Sequence, residues 1–245
     1  MNPAQPSPLI HRAFVLGAGL GTRLRPLTDQ LPKPLLPLGG RPLITHIFDQ
    51  LLPLGVREIL INTHHASETY HLAFPDAHYQ GVPLRFRHEP ELLDTGGGIK
   101  NIQDLTDPNE PLLVYNGDIH STLSLPKLLQ HHHQSGNLVT LALRSSGHPR
   151  NVQLGDDGQI LDLRSTFHIT QGRPCLFSGI YVFQADFFAH LIQGKKESVI
   201  EAFLRLIQAR KKLGGILLDE GCWSDIGTLE EYQRLQNECS GSPPT

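Results

Sequence analysis

The sequence predicts an α/β protein built on one mixed, mainly parallel sheet with helices on both faces. Through the first half of the chain, short apolar runs alternate with segments of helical spacing, the pattern of successive βαβ units whose strands are buried on both sides. In the second half, strand-like runs follow one another across tight turns, so antiparallel strands join the sheet there. Of the 245 residues, 39% are hydrophobic and 18% charged, which supplies ample material for a single core.

Residues 13–19, AFVLGAG, form a buried strand running into glycines. Residues 41–55 carry Leu43, Ile47, Leu51 and Leu54 on one helical face and stop at Gly55. EILINTH, residues 58–64, is the next buried strand, and its link to the first through a helix makes a βαβ unit of right-handed crossover. A short helix near residues 66–74 and a strand at 84–89 continue the alternation. GGGIKNIQDL, residues 96–105, opens another helix, and LLVYNGD, residues 112–118, is a strand with a polar end.

Beyond that point LVTLALR (138–144) is a strand, residues 152–163 read as a hairpin around a DDG turn, and residues 177–184 form a further strand. A marked amphipathic helix follows from residue 198, with Val199, Phe203, Leu206 and Ile207 on its core face. A strand at GILLDE, the segment CWSDIGT and a helical LEEYQRLQNE complete the chain. The expected division is a disordered proline-bearing lead over residues 1–12, one domain over 13–238, and a flexible tail over 239–245.

Composition excludes several function classes. A formal charge of -3 lacks the basic excess that nucleic acid draws, and scattered aromatics form no base-stacking platform. Cys175, Cys222 and Cys239 make no CxxC pair, so reduced thiols in a cytoplasmic protein are expected rather than a zinc site or disulfide framework. There is neither a signal-peptide pattern nor an apolar run of membrane-spanning length, so no membrane partner is expected. Among 14 histidines, the run His131-His132-His133 falls at a polar helix end and is expected to be solvated; His64-His65 lacks partners at ligand spacing.

The informative stretch is LGAGLGTRLRPLTDQLPKPLLPLGGRPLI, residues 16–44. Gly17, Gly19 and Gly21 sit just past a strand, where glycines let backbone N–H groups wrap phosphate oxygens. The dinucleotide fingerprint fails at its third glycine, which is Thr22 or Leu24 depending on the start, and the Walker pattern lacks its lysine after Gly21. The loop is therefore a phosphate cradle of another kind. Arg23, Arg25 and Lys33 follow it, and Pro32 and Pro34 fix the backbone that carries Lys33. Glycines beside three cations point to a polyphosphate.

This stretch strongly resembles the signature of sugar-1-phosphate nucleotidyltransferases, and the resemblance runs from residue 13 to about residue 235. DTGGGI (residues 94–99) and WSDIGT (223–228) look like the short branch holding N-acetylmuramate-1-phosphate uridylyltransferases and mannose-1-phosphate guanylyltransferases. The resemblance implies a Rossmann-like three-layer α/β/α sandwich that joins a nucleoside triphosphate to a sugar 1-phosphate. It places Leu16, Gly17, Ala18, Gly19, Gly21 and Thr22 on the nucleotide, with Glu89, Thr95, Gly96 and Gly97 at the base. Arg23 would face the leaving pyrophosphate and Lys33 the α-phosphate or the incoming sugar phosphate, as catalytic cations. Asp118 and Asp225 would hold Mg²⁺, and Asn116, Asn151, Ser178 and Gly179 would meet the sugar.

Two departures stand out. Gly17 replaces the family's usual alanine, and the E-K-P segment whose lysine binds the sugar phosphate in thymidylyltransferases has no counterpart before FSGIYV. Arg150, Arg164 and Arg173 are the candidate replacements. The chemistry needs no general base, because a phosphate monoester is largely a dianion above its second pKa of about 6. Positioning and charge stabilisation are the main catalytic demands. The expected pair is UTP with N-acetylmuramate 1-phosphate; the alternative is guanylyl transfer to mannose or heptose 1-phosphate. From a different class, an inactive nucleotide or sugar-nucleotide sensor would keep the glycines and lose the cations or carboxylates, all of which are present here.

Overall fold

The structure is a computed structural model that describes residues 10–239. Of the expected lead and tail, residues 1–9 and 240–245 lie outside the described residues; Ile10 is buried and Arg12 already opens the first strand. The chain runs through β1 (Arg12–Leu16), a small ribbon of β2 (Pro37–Leu38) and β3 (Arg41–Pro42), α1 (Leu43–Leu51), β4 (Glu58–Thr63) and α2 (Glu68–Ala73). Next come β5 (His78–Tyr79), β6 (Val82–His88), α3 (Asp94–Asn101), β7 (Leu112–Asn116), β8 (Ile119–Ser121), α4 (Leu125–Ser135) and β9 (Val139–Arg144). The last part holds β10 (Val152–Leu154), β11 (Ile160–Leu163), β12 (Arg173–Phe183), α5 (Val199–Gln208), β13 (Leu213–Leu217), β14 (Trp223–Asp225) and α6 (Leu229–Cys239).

β7, β1, β4 and β6 lie side by side and parallel. β12 adds antiparallel beside β7 and is flanked in turn by β9, to which β13 is parallel. The first residues of β12 also pair with the β10–β11 hairpin, whose turn is tied back to β13 through a bridge from Gln159 to Gly214. The sheet is thus mixed and mainly parallel in its first half, as expected. β12 begins four residues before the expected strand at 177, because its extra length supplies the partner for β10.

Side chains alternate across these strands. Val15, Ile59, Ile61, Leu113 and Tyr115 face Ile47 and Phe48 of α1, Tyr70 of α2 and Leu128 of α4. Phe14, Leu60, Leu112 and Val114 face Ile99 of α3 and Phe203 and Leu206 of α5. Two apolar layers on one sheet make the three-layer sandwich. A third cluster joins Leu24, Leu36, Leu38 and Leu43 to Ile226, Tyr232 and Leu235, and the Tyr232 hydroxyl donates to the Pro37 carbonyl at 2.6 Å. It fastens the cation-bearing segment after β1 to the C-terminal helix.

α3 contains three consecutive glycines, poor helix formers that need a packing reason. A Cβ on Gly97 would stand 2.4 Å from the Lys195 carbonyl oxygen, one on Gly96 2.9 Å from that of Glu197, and one on Gly98 2.7 Å from the Asn62 amide nitrogen. The helix is bare where backbone crosses it. It ends at Asn101, before a separate 3-10 turn at Gln103–Leu105, so the single helix expected over 96–105 is shorter and starts earlier.

One expected surface residue is internal. His132 is only 2% exposed; its Nδ1 lies 2.9 Å from Thr140 Oγ1 and its Nε2 3.0 Å from the Gln184 amide nitrogen. His132 follows Leu125, Leu128 and Leu129 on the buried face of α4, at the three- and four-residue steps of a helix.

Candidate active site

The glycine loop crosses the carboxyl ends of the parallel strands, the side where open α/β sheets collect ligands. Asn62, next to last in β4, is buried, and its Oδ1 accepts the N–H of Gly17 at 2.8 Å and of Ala18 at 3.3 Å. The Asn62 amide donates to Glu89 Oε1 at 2.7 Å, and Glu89 Oε2 accepts the Leu93 N–H at 3.0 Å. The Tyr70 hydroxyl donates to the Gly17 carbonyl at 3.1 Å. A Cβ on Gly17 would lie 2.7 Å from both that hydroxyl and the Asn62 carbonyl oxygen, so the family's usual alanine does not fit in this loop. Farther along, Thr28 donates to the Gly21 carbonyl at 2.7 Å while His65 Nε2 donates to the Thr28 carbonyl at 2.9 Å.

Around this loop lies a cavity of about 340 Å³, bordered by residues 16–24, Lys33, Pro34, Leu92, Thr95, Asn116, Asp118 and Gly227. A second cavity of about 560 Å³ adjoins it, bordered by Asn151, Arg164, Phe177, Trp223 and Asp225 among others. Arg23, Asn116 and Gly227 border both. Each volume suits a small-molecule site.

Between the cavities stand two carboxylates and one ammonium. Asp118 lies two residues beyond β7 and Asp225 ends β14; β14 pairs with β8 so that Asp225 is opposite Ile119, and the Ile226 N–H donates to the Asp118 carbonyl at 3.0 Å. That ladder holds the two acids side by side. Lys33 Nζ is 2.7 Å from Asp118 Oδ2 and 3.8 Å from Asp225 Oδ1, carried by a 3-10 turn at Lys33–Leu35 that follows Pro32. Burial, then the neighbouring Asp118, raise the Asp225 pKa, with Lys33 and Arg23 opposing.

Asp118 and Asp225 present hard oxygen donors on either side of Lys33. That donor set fits one Mg²⁺, which takes few carboxylates and completes its shell with phosphate oxygens and water. Among the described residues no group of three or more His, Cys, Asp or Glu converges on a point, so an ion held by these two acids would take its other ligands from phosphate oxygens and water.

Several expected residues serve other ends. Gly96 and Gly97 lie outside the cavities, and both donate their N–H groups to the Glu197 carbonyl; only Thr95 of that turn borders the nucleotide-sized cavity, while its hydroxyl accepts the Val199 N–H. Glu89 is fully buried behind the loop, its pKa raised by that burial, and acts through Asn62. Ser178 borders the larger cavity together with Gly179, Asn116 and Asn151, but its side chain is buried and its hydroxyl is donated to the Ala142 carbonyl at 2.8 Å. Arg25 is exposed and paired with Asp29. Among Arg150, Arg164 and Arg173, only Arg164 borders the cavity. Asn62 and Tyr70 are additions; a lone asparagine inside the apolar run EILINT was the available signal.

Comparison with known proteins gives a consistent result. A family profile described as nucleotidyl transferase matches residues 12–240. The mannose-1-phosphate guanylyltransferase of Mycobacterium tuberculosis is 32% identical over 91% of this chain, which spans 62% of that protein's length. The N-acetylmuramate alpha-1-phosphate uridylyltransferase of Neisseria meningitidis serogroup B is 30% identical over 91% of this chain and 97% of its own. In structure, the UDP-glucose pyrophosphorylase of Acinetobacter baumannii superposes with a TM-score of 0.77 at 15% identity, covering 94% of this chain and 93% of that one, a likeness of fold.

Proposed function

The chain belongs to the nucleotidyl transferase family, and on that premise we propose that it is an enzyme joining a nucleoside triphosphate to a sugar 1-phosphate, with release of pyrophosphate. One observation supports this most directly: the two cavities meet at Asp118, Asp225 and Lys33, with Arg23 bordering both. A triphosphate in the loop cavity and a sugar phosphate in the larger one would bring their reacting groups together there.

An oxygen of the sugar phosphate attacks the α-phosphorus, a new P–O bond forms, and the bond to the β-phosphate breaks as pyrophosphate leaves with the electron pair. The attacking oxygen is already deprotonated, so no side chain has to remove a proton. What the reaction needs is to hold two anions together and to stabilise the charge growing on the leaving group. Lys33, a compact ammonium on a short braced turn, serves the α-phosphate. Arg23 has a planar fork for the leaving pyrophosphate. Asp118 and Asp225 would hold Mg²⁺, which supplies Lewis-acid stabilisation of phosphate oxygens when bound. The loop N–H groups, shaped from behind by Asn62, cradle the triphosphate.

UTP with N-acetylmuramate 1-phosphate is the proposed pair, supported by the relative of that name that is matched over nearly its whole length. Guanylyl transfer to mannose or heptose 1-phosphate is the second reading, supported by the slightly higher identity of the mycobacterial relative and by a D-glycero-alpha-D-manno-heptose 1-phosphate guanylyltransferase of Aneurinibacillus thermoaerophilus matched over 97% of its length. A cytoplasmic setting follows from the substrates and agrees with free Cys175, Cys222 and Cys239; among the described residues no helix is long and apolar enough to cross a membrane. The test is pyrophosphate release with Mg²⁺ across four nucleoside triphosphates and a panel of sugar 1-phosphates. Release above background for one pair is expected. Nucleotide binding with no release from any pair would overturn the enzyme reading in favour of a sensor.

A further inference from the structure

Resting on that reading, we infer that Arg164 recognises a carboxylate on the sugar, so that the acceptor is an acidic sugar 1-phosphate and not a neutral hexose phosphate. The charges around the larger cavity point this way. Its acids are Asp225, which faces Lys33, and Glu231, whose carboxylate takes both Nε and a terminal nitrogen of Arg234. Arg164 is exposed at the cavity wall and has no acid partner among the described residues. A guanidinium left unpaired in a ligand cavity is a ready fork for a carboxylate or phosphate.

Its place favours the carboxylate. The reacting phosphates belong where the cavities meet, among Arg23, Asn116 and Gly227, next to Lys33. Arg164 borders only the larger cavity, with His148, Asn151 and Phe177. Arg164 is absent from the loop cavity that would hold the triphosphate, so in the proposed arrangement its guanidinium meets the sugar, where a second anionic group would sit.

The segment that carries Arg164 is built to hold an unfavourable shape. Arg164 and Ser165 are consecutive left-handed residues, with φ of 55° and 56°, a conformation that costs side-chain-bearing residues and tends to mark ligand clamps. It is fixed from both sides. The Arg164 N–H donates to the Asn151 carbonyl at 2.7 Å. Asp162 is fully buried, and its carboxylate accepts the N–H groups of Phe167 at 3.2 Å and Ile169 at 3.1 Å. Asp162 is the positioning residue, and Arg164 is the group it presents.

The test compares two acceptors that differ by one acidic substituent, N-acetylmuramate 1-phosphate and N-acetylglucosamine 1-phosphate, with whichever nucleoside triphosphate supports release. Wild type is expected to favour the acid by about tenfold or more in kcat/KM, the scale of one charge-assisted pair. Arg164→Gln should bring that ratio close to one, mainly through the KM of the acidic sugar, and Arg164→Lys should keep part of it. The ratio is internal to each preparation, so partial unfolding does not alter it; if Arg164→Gln fails to fold, the wild-type ratio and Arg164→Lys decide. A wild-type preference for the neutral sugar would overturn the inference, as would equal losses on both sugars in Arg164→Gln, which would put Arg164 on the phosphate. In both cases release continues and the transferase reading stands. No release from wild type with any pair would remove that reading and this inference with it.

Discussion

The Asn62 side chain is shared between Glu89 and the glycine loop: its amide donates to Glu89 Oε1 at 2.7 Å while its oxygen receives the N–H groups of Gly17 and Ala18. Asn62 has one acceptor and one donor end, and only a residue that accepts from it, as the Glu89 carboxylate does, fixes which end faces the loop. Asn62→Ala would strand those N–H groups, at a cost of roughly 1–3 kcal/mol for buried donors. We expect the nucleotide KM to rise about tenfold and the sugar KM to change less. Melting should fall by a few degrees, at about 2–4 °C per kcal/mol for a domain of this size. Lower melting with an unchanged nucleotide KM would reduce Asn62 to a core polar residue.

Lys33 and Asp225 separate charge stabilisation from metal holding. Lys33→Met should lower kcat by roughly 10²–10³, the scale of losing one group aimed at developing charge. Arginine should not restore it, because the planar fork is longer and Lys33 meets Asp118 at 2.7 Å in a side chain only 12% exposed. Asp225→Asn should abolish turnover and weaken binding of Mn²⁺, followed by its paramagnetic effect on water relaxation in the presence of nucleotide. Full turnover in Asp225→Asn would sink the metal assignment.

Two glycines should respond in opposite ways. Nothing lies within 4 Å of a Cβ built on Gly19, whereas one on Gly97 meets the Lys195 carbonyl oxygen at 2.4 Å. Gly97→Ala must push backbone apart and should cost about 1–3 kcal/mol, as overpacking does, seen as a lower urea midpoint with the nucleotide KM little changed. Gly19→Ala should fold with a near-normal midpoint and raise the nucleotide KM, since its new methyl projects into the loop cavity. The reverse pattern would mean that the DTGGGI glycines, not the loop, contact the nucleotide.

The contrast between those glycines shows what sequence order reveals. Strand–helix alternation was legible because each buried strand is a continuous apolar run, and the cations were legible because they sit beside the glycines within one segment. Asp118 and Asp225 stood out only through their motifs; their approach depends on the β8–β14 pairing, which no local pattern displays. The packing of Gly96 and Gly97 against residues 195–197 was not legible, because a glycine spared for a ligand and a glycine spared for crossing backbone look alike in one dimension. Ser178 is a similar case: it borders the larger cavity, yet its hydroxyl is donated to the Ala142 carbonyl, a bond that no local pattern displays.

His132 misled for a related reason, and its burial has a pH consequence. Burial, with His131 and His133 close by, holds its pKa down from 6.5 to about 4. The partners agree with a neutral ring: Gln184 donates to Nε2, leaving Nδ1–H for Thr140. Between about pH 6.5 and 4 the unfolded chain binds a proton that the folded chain refuses, so stability falls as pH drops through that window. The full difference is on the order of 3 kcal/mol. In His132→Gln this contribution disappears. The variant should be less stable than wild type at pH 7.5, where a packed and hydrogen-bonded ring has been lost, and the gap should narrow or reverse by pH 5. Urea unfolding at the two pH values measures it directly. A gap of equal size at both would mean that His132 titrates alike in the folded and unfolded chains, and that its place against β9 carries no pH dependence.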